Sequence, residues 1–548
     1  MPSNRFAAPS VRGMQFVVLW LTIIACAPSG SFAGEKVDDV PFSHGLVVSR
    51  AKELAQLPYE NPDAALSPLI RSITREQWDK ISAKSERALW KNENLPFQVI
   101  FHHPGSIYNR TARINVVDDG VVSPVEFSAA MFDYPSADLR DQAAENSPGF
   151  AGLSLLHPAA TETGVDAPRE MAELASFLGA SYFQSRGRSS RFGIYARALA
   201  VDTALPDGEE FPWFREFWLE KPAPDATEFT LHALVDSPRL TGALSIVVIP
   251  GTSTVMDVDA TWFLRQGAKV PGKIGFAPLT SMFLCGETTL GRTGDYRPEV
   301  HNSDGLLCNT ADGEWVWSPL VNPARLVVNR FPLENPRGFG LMQRDDNFDH
   351  YQDLEARFDR RPSLWVEPKG DWQSGRVELV EIPGSEDFHG NIVAYWIPDA
   401  PPPAEAGPDR PHWEQSYRLY WMTPGVSPHT LGRAAATRML KIPNSNVMRF
   451  MIDFEGEQLD EFHADTGLAS MVETPEQFPL LEKRLVKNDV TSGWRLTLDV
   501  RMPARDGILG SLFSARGGSE ALRFKALLKR GENLPEPLTE TWVYDFQP

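Results

Sequence analysis

Three cysteines in 548 residues leave no room for a disulfide-stapled scaffold. No Cys-x-x-Cys pair or His-rich spacing marks a metal site, and no cofactor motif is present; neither metal nor cofactor is expected. Positive charge is scarce. Lys and Arg number 53 against 72 Asp and Glu, a net charge of −19, with no basic run, so nucleic acid and anionic membrane surfaces are excluded as partners. Long hydrophobic runs are missing too. The one apolar stretch, residues 14–25, is shorter than the ~20 residues a membrane span needs. There is no internal repeat of fixed period. Helical periodicity is confined to 45–56, 74–84 and 169–178.

What remains is mostly β. The runs 95–102, 229–235, 244–250, 326–330, 376–382 and 391–396 are strand-like and bounded by Gly, Pro, Asp or Asn. With 45 prolines and 40 glycines, many short strands with frequent turns predict an all-β sandwich or barrel. The chain is too long for one core, so two or more domains are expected. Residues 1–33 read as a signal peptide: Arg5 and Arg12 precede the apolar core, and Ser31-Phe32-Ala33 offers small residues for cleavage. Ile23-Ile24-Ala25-Cys26 gives a second reading, a lipoprotein box. No twin-arginine pair is present, so ordinary export is expected, with Cys285 and Cys308 either bridged, at a gain of about 3 kcal/mol, or buried as free thiols. The proline-rich segment 397–411 and the turn 423–428 are both linker-like. The short alternating runs beyond them suit a small Ig-like sandwich.

Chemistry concentrates in the loop Asp295-Tyr296-Arg297-Pro298-Glu299-Val300-His301-Asn302-Ser303-Asp304-Gly305. Three residue types there, carboxylates, a guanidinium and an aromatic ring, are those that bind sugars: hydroxyls bond to the charged groups and sugar rings stack on aromatics. The same residues also read as a solvated acidic loop. Trp365, Trp372 and Trp396 are candidate sugar platforms or, alternatively, core aromatics. Trp372 lies in a polar turn and is expected to be the most exposed. The acidic run 344–350 either lines a cleft or is a solvated face.

Several motifs in one register resemble the periplasmic glucan biosynthesis family (OpgG/OpgD, also called MdoG). They include Ala200-Val201-Asp202-Thr203-Ala204-Leu205-Pro206, Leu234-Val235-Asp236-Ser237-Pro238-Arg239, Ala277-Pro278-Leu279-Thr280-Ser281-Met282-Phe283, Tyr296-Arg297-Pro298-Glu299, Arg361-Pro362-Ser363, Leu379-Val380-Glu381-Ile382-Pro383 and Asn391-Ile392-Val393-Ala394-Tyr395-Trp396. The resemblance covers nearly all of the chain after the leader. It implies a large galactose-mutarotase-like β-sandwich over 34–424, a small Ig-like sandwich over 425–548, a periplasmic location and action on β-1,2-glucan. It also moves the proline-rich segment inside the first domain, as an insertion.

The family resemblance implies an anomer-inverting glucanase or transglycosylase with an Asp before Asn-Ile-Val as acid and an Asp after the loop His as base. Here those positions are Gly390 and Asn302. The surviving candidates are Asp387 or Glu386 as acid and Asp304 or Glu299 as base, with Tyr296, Arg297, His301 and the three tryptophans binding substrate. Structural roles compete with each: Asp304 as a turn cap, Glu386 and Asp387 as exposed loop acids, Arg297 and Glu299 as a salt bridge. Two functions follow. One is a glucanase or transglycosylase with a relocated acid/base pair. The other is a non-catalytic glucan carrier that works with an inner-membrane glucosyltransferase. The absent twin arginine places the chain nearer the G than the D branch.

Overall fold

The computed structural model describes residues 41–62, 66–146, 148–158, 170–289, 294–399, 412–463, 467–503, 522–531 and 536–546. The expected leader with Cys26 and residues 400–411 of the proline-rich segment lie outside these. From Phe42 onward the chain forms one compact unit, and no described helix is long and apolar enough to cross a membrane.

The fold is all-β, built on two large sheets. The first follows the order Gln98–His102, Gly152–Pro158, Met171–Leu178, Tyr182–Ser185, Tyr195–Arg197, Ile274–Ser281, Ile392–Pro398, Ser374–Glu381 and Val327–Glu334, with Ala200–Val201 paired to Ile274–Ser281. The second has fourteen strands. Its centre runs Gly305–Asn309, Gly338–Met342, Ser363–Lys369, His412–Met422, Thr254–Leu264, Leu240–Ile249, Phe229–Asp236 and Trp213–Glu220. Alternation along each strand sends one set of side chains inward. Phe177, Leu279 and Leu379 from the first sheet meet Phe217, Leu244, Val258 and Leu419 from the second in a continuous core, which makes a β-sandwich. The strands flanking 400–411 belong to opposite sheets of this sandwich, so an insertion there leaves both intact.

Beyond residue 425, Arg433–Lys441, Val447–Glu455, Trp494–Arg501 and Leu480–Lys487 form a four-stranded antiparallel sheet. The remaining C-terminal strands, Leu468–Glu473, Arg523–Arg530 and Thr541–Asp545, do not stand apart. They extend the fourteen-stranded sheet through the parallel pairs Val316↔Thr541 and Trp317↔Trp542. Phe450, Ile452, Leu496, Phe524 and Trp542 form a second core, and Trp317, Met342 and Trp365 of the large sheet pack into it.

One expected element is of the wrong type. Residues 169–178 have the composition of a helix, yet Met171–Leu178 is a strand, hydrogen-bonded to Gly152–Pro158 on one side and Tyr182–Ser185 on the other. Pairing on both edges and burial of Ala175 and Phe177 override local propensity. Of the two readings open for Cys285 and Cys308, the structure has the free, buried thiols. They lie in different clusters, Cys308 in the main core and Cys285 in a small one with Tyr351 and Phe358, and burial pushes the Cys308 thiol up to about 12. The expected helix at 45–56 forms over His44–Leu54 and lays Val47 and Ala51 on Trp218, Leu234 and Phe263. That at 74–84 shrinks to one turn, Arg75–Trp78, closed by a Thr74/Gln77 capping box.

Glycine sets how closely the tryptophans lie on the large sheet. A Cβ at Gly305 would stand 2.0 Å from the Trp317 ring. Gly305→Ala should therefore destabilise the protein by ~1–3 kcal/mol through overpacking. Chemical denaturation measures it, and an unchanged midpoint would count against this packing.

Candidate functional site

The loop 295–304 is anchored by a short antiparallel ladder in which Phe283 faces His301 and Cys285 faces Val300, and by the Asn302 N–H donating to the Met282 carbonyl at 2.8 Å. This ladder draws the apolar Val300 inward and buries His301 completely. The imidazole lies against Phe283 (ring centroids 5.4 Å apart). Its Nδ1 bonds to Gln343 Oε1 (2.9 Å) and its Nε2 to Glu299 Oε2 (3.0 Å). Burial by itself lowers the affinity of His301 for a proton, but Glu299, Asp304 and Glu287 outweigh it and raise the pKa. A charged ring donates both bonds. His301 thus holds the floor of the site together rather than facing solvent.

Asp304 ends the loop. Its Oδ2 accepts from the backbone N–H groups of Arg344 (2.9 Å) and Asp345 (3.1 Å). Its Oδ1 is shielded from solvent and has no hydrogen-bond partner, and the same holds for Asn302 Oδ1 beside it. Burial raises the Asp304 pKa, against the pull of His301 and Arg344. Its side chain therefore ties the loop to the distant 344–345 backbone, rather than capping its own turn, and leaves one oxygen uncommitted.

Arg297 and Asp387 belong to one ion cluster. Arg297 grips Asp295 in two places (Nε–Oδ1 3.0 Å, Nη2–Oδ2 2.8 Å) and reaches Asp353 (3.1 Å) and Asp387 (2.8 Å). Asp387 Oδ2 is thus occupied by a guanidinium, and Glu386 is exposed. Tyr296 and Phe388, next in sequence to Arg297 and Asp387, expose 73% and 74% of their surface. Of the three tryptophans, Trp372 and Trp396 are core residues. Trp372 is only 8% exposed, because the Trp372 N–H bonds to Asn335 Oδ1 and the turn folds back, sending the indole N–H to the Ser416 carbonyl. The expectation of an exposed Trp372 is corrected. Trp365 faces the second core.

Sequence reasoning passed over Glu287. It sits in the tight turn closed by reciprocal Gly286–Thr289 backbone bonds (3.0 and 3.1 Å), directly after the strand Phe283–Cys285. Burial first, then the charges of Glu299 and Asp304, push its carboxyl up to about 7. A Cβ at Gly286 would lie 3.4 Å from Glu299 Oε2, which shows how closely this turn covers Glu299. The one available signal was a carboxylate directly after an apolar strand and one glycine. Phe388, from the other loop, was missed as well. The acidic run 344–350 contributes Asp345 and His350, which pair at 2.5 Å. With Glu299 they place three potential ligand atoms within 4.8 Å of one another, enough to hold a divalent cation. Gly390 packs on Thr280: a Cβ there would meet Thr280 Cγ2 at 2.7 Å. Next to it Asn391 is a clamp, bonded to Phe283 N (2.8 Å), Phe283 O (2.9 Å) and Ile382 O (3.0 Å).

The site thus combines a carboxyl raised to about 7, a second fixed carboxyl with a free oxygen, an arginine–carboxylate cluster and two exposed rings. Residues 42–546 match the family described as "Periplasmic glucan biosynthesis protein, MdoG". Among similar proteins, the glucans biosynthesis protein G of Pseudomonas syringae pv. tomato is 39% identical over 84% of this chain and 71% of its own length. Those of Dickeya dadantii and Ralstonia nicotianae are each 38% identical over 92% of this chain, covering 93% and 95% of theirs. With the all-β sandwich and the motif loop in place along this whole length, the chain belongs to the periplasmic glucan biosynthesis family, MdoG.

Proposed function

We propose that this protein acts on β-1,2-glucan chains in the periplasm, during glucan biosynthesis, as an anomer-inverting glucanase or transglycosylase. The observation that carries this reading is the pair Glu287 and Asp304 beside His301. An inverting reaction needs one protonated carboxyl at the leaving oxygen and a second to take the proton of the incoming water or sugar hydroxyl. Glu287, with a pKa of about 7, supplies a donor at neutral pH. Asp304 Oδ1, held in place through Oδ2, supplies an acceptor. Asp387, the donor expected from the sequence, has Arg297 on its oxygen and fits a part in holding the Tyr296 and Phe388 loops on the sugar.

A second reading is a glucan carrier without turnover, handing chains on from a membrane glucosyltransferase. It is favoured by Gly390 and Asn302 at the family's acid and base positions and by the shielding of Asp304 Oδ1.

Mass spectrometry of products from linear β-1,2-glucan tests the first reading. Hydrolysis gives shorter reducing chains, and cyclising transfer gives products one water lighter. Glu287→Gln and Asp304→Asn should each lower turnover by ~10²–10⁴-fold. Activity of the wild type should fall as pH rises through about 7, because Glu287 loses its proton. Unchanged glucan with binding intact would sink the enzyme and leave the carrier.

A further inference from the structure

A second region of this chain has the makings of a sugar site. On the outer face of the fourteen-stranded sheet, at the seam with the second core, a groove of about 470 Å³ is lined by Trp315, Trp365 and Tyr420 together with Asn309, Arg337 and Glu367. Its floor is set by backbone chemistry. A Cβ at Gly338 would stand 2.2 Å from Trp365 Cζ2, and one at Gly340 would stand 2.9 Å from its Cε3. Two glycines on one face of the strand Gly338–Met342 thus let the indole lie flat across it. Trp315 sits beside it at 5.5 Å, tilted by 34°. Tyr420 is the cross-strand neighbour of Trp365, and its hydroxyl donates to Glu367 Oε2 at 3.3 Å.

Trp315 and Tyr420, part-exposed over the buried Trp365, form a stacking surface of the kind a pyranose ring uses with its C–H faces. The rim supplies hydroxyl partners of both kinds. Arg337 and Glu367 are exposed, and Arg337 is tied to Asn309 by a backbone bond of 2.9 Å. One cation and one anion leave the groove with no net field, which suits an uncharged polyol and not a phosphate or an acidic polymer. The groove is also separate from the loop 295–304. The strand Gly305–Asn309 starts directly after Asp304 and ends in the groove, four residues or roughly 14 Å further on.

We propose that this groove is a second saccharide-binding site, taking a segment of glucan chain, so that a long chain engages the protein at two places. The proposal takes its ligand, a glucan, from the function proposed above and its location from the groove alone. Two linked contacts should bind a long chain at least tenfold more tightly than a short oligosaccharide, without new contacts at either.

Calorimetric titration of the full chain with short linear β-1,2-glucan oligosaccharides, then with long chains, tests this. The wild type should bind two equivalents of the short ligand. Trp315→Ala should remove one and weaken the long chain at least tenfold. Because Trp315 also touches the second core, the exposed pair Arg337→Ala with Glu367→Ala repeats the test, with melting temperature as the check on folding. Tyr296→Ala serves as the opposite control. One equivalent lost only in the groove variants supports the groove and overturns sugar binding at 295–304. One equivalent lost only with Tyr296→Ala overturns the groove and leaves the first site. No binding by the wild type overturns both.

Discussion

Glu540→Gln is expected to cost about 3–5 kcal/mol of folding stability at pH 7, because it removes one half of a buried ion pair. Arg344 and Glu540 meet end to end, Nη1–Oε1 at 2.6 Å and Nη2–Oε2 at 2.8 Å, with both side chains nearly inaccessible. Glu540 also accepts from the Ala434 N–H (2.8 Å) and His429 Nε2 (3.1 Å). The Arg344 guanidinium lies 3.4 Å from the centre of the Trp317 ring. Taking away the carboxylate charge strands this guanidinium between an indole and the second core. Burial would raise the Glu540 carboxyl, but Arg344 and His429 overcome it and hold the pKa at about 2. The sign follows from linkage: the folded pKa is below the unfolded one, so this contribution is present above about 4.5 and lost as pH falls towards about 2. Urea unfolding at pH 7 and pH 3 checks both statements. A loss under ~1 kcal/mol at pH 7 would mean that the pair does not carry this load. The pair also bears on the site, since the Arg344 N–H is one of two that fix Asp304. A loosened Arg344 should lower turnover as well.

The second large effect concerns a carboxyl with the opposite sign. Glu381 is fully buried at the end of the strand Ser374–Glu381. Its Oε1 accepts from the Val321 N–H (2.9 Å) and its Oε2 from Asn329 Nδ2 (3.0 Å). No cation is among these partners. Burial, with Asp545 adding to it, pushes the carboxyl up to about 8. Between about 4.5 and about 8 the folded protein keeps a proton that the unfolded chain has released. Stability from this group is complete below about 4.5 and declines by about 1.4 kcal/mol per pH unit until about 8. Glu381→Gln keeps the shape and abolishes the titration. It should flatten the pH–stability curve between 5 and 8, and at pH 8.5 exceed the wild type by something on the order of 4 kcal/mol. Parallel curves for the two proteins would show that Glu381 is already charged in the fold.

Much of this protein could be read along the chain because its causes are local. Strand alternation and glycine and proline punctuation lead to an all-β fold without any knowledge of neighbours. The motif loop stands out by composition, and its short span keeps Glu299, His301 and Asp304 near one another, while Arg297 turns to Asp295, Asp353 and Asp387. What failed locally failed for a tertiary reason. The segment Met171–Leu178 has helix-forming composition and becomes a strand only because partners wait on both sides. Trp372 looks exposed from its polar neighbours until Asn335 and Ser416 fold its turn inward.

The protonation pattern lay beyond the sequence altogether. Glu287 and Asp387 are both acids in glycine-bearing loops, and nothing in their neighbours separates them. The fold places Asp387 directly on Arg297 at 2.8 Å, whereas part-buried Glu287 has Arg438 only at 3.9 Å and lies near Glu299 and Asp304, so burial and like charges win there. The sequence by itself determined the fold class, the family and the location of the motif loop, since each follows from residue type and order. Which carboxyl holds a proton, which ring faces solvent and how the C-terminal strands join the large sheet were decided only in three dimensions, because burial and charge proximity are properties of neighbours in space.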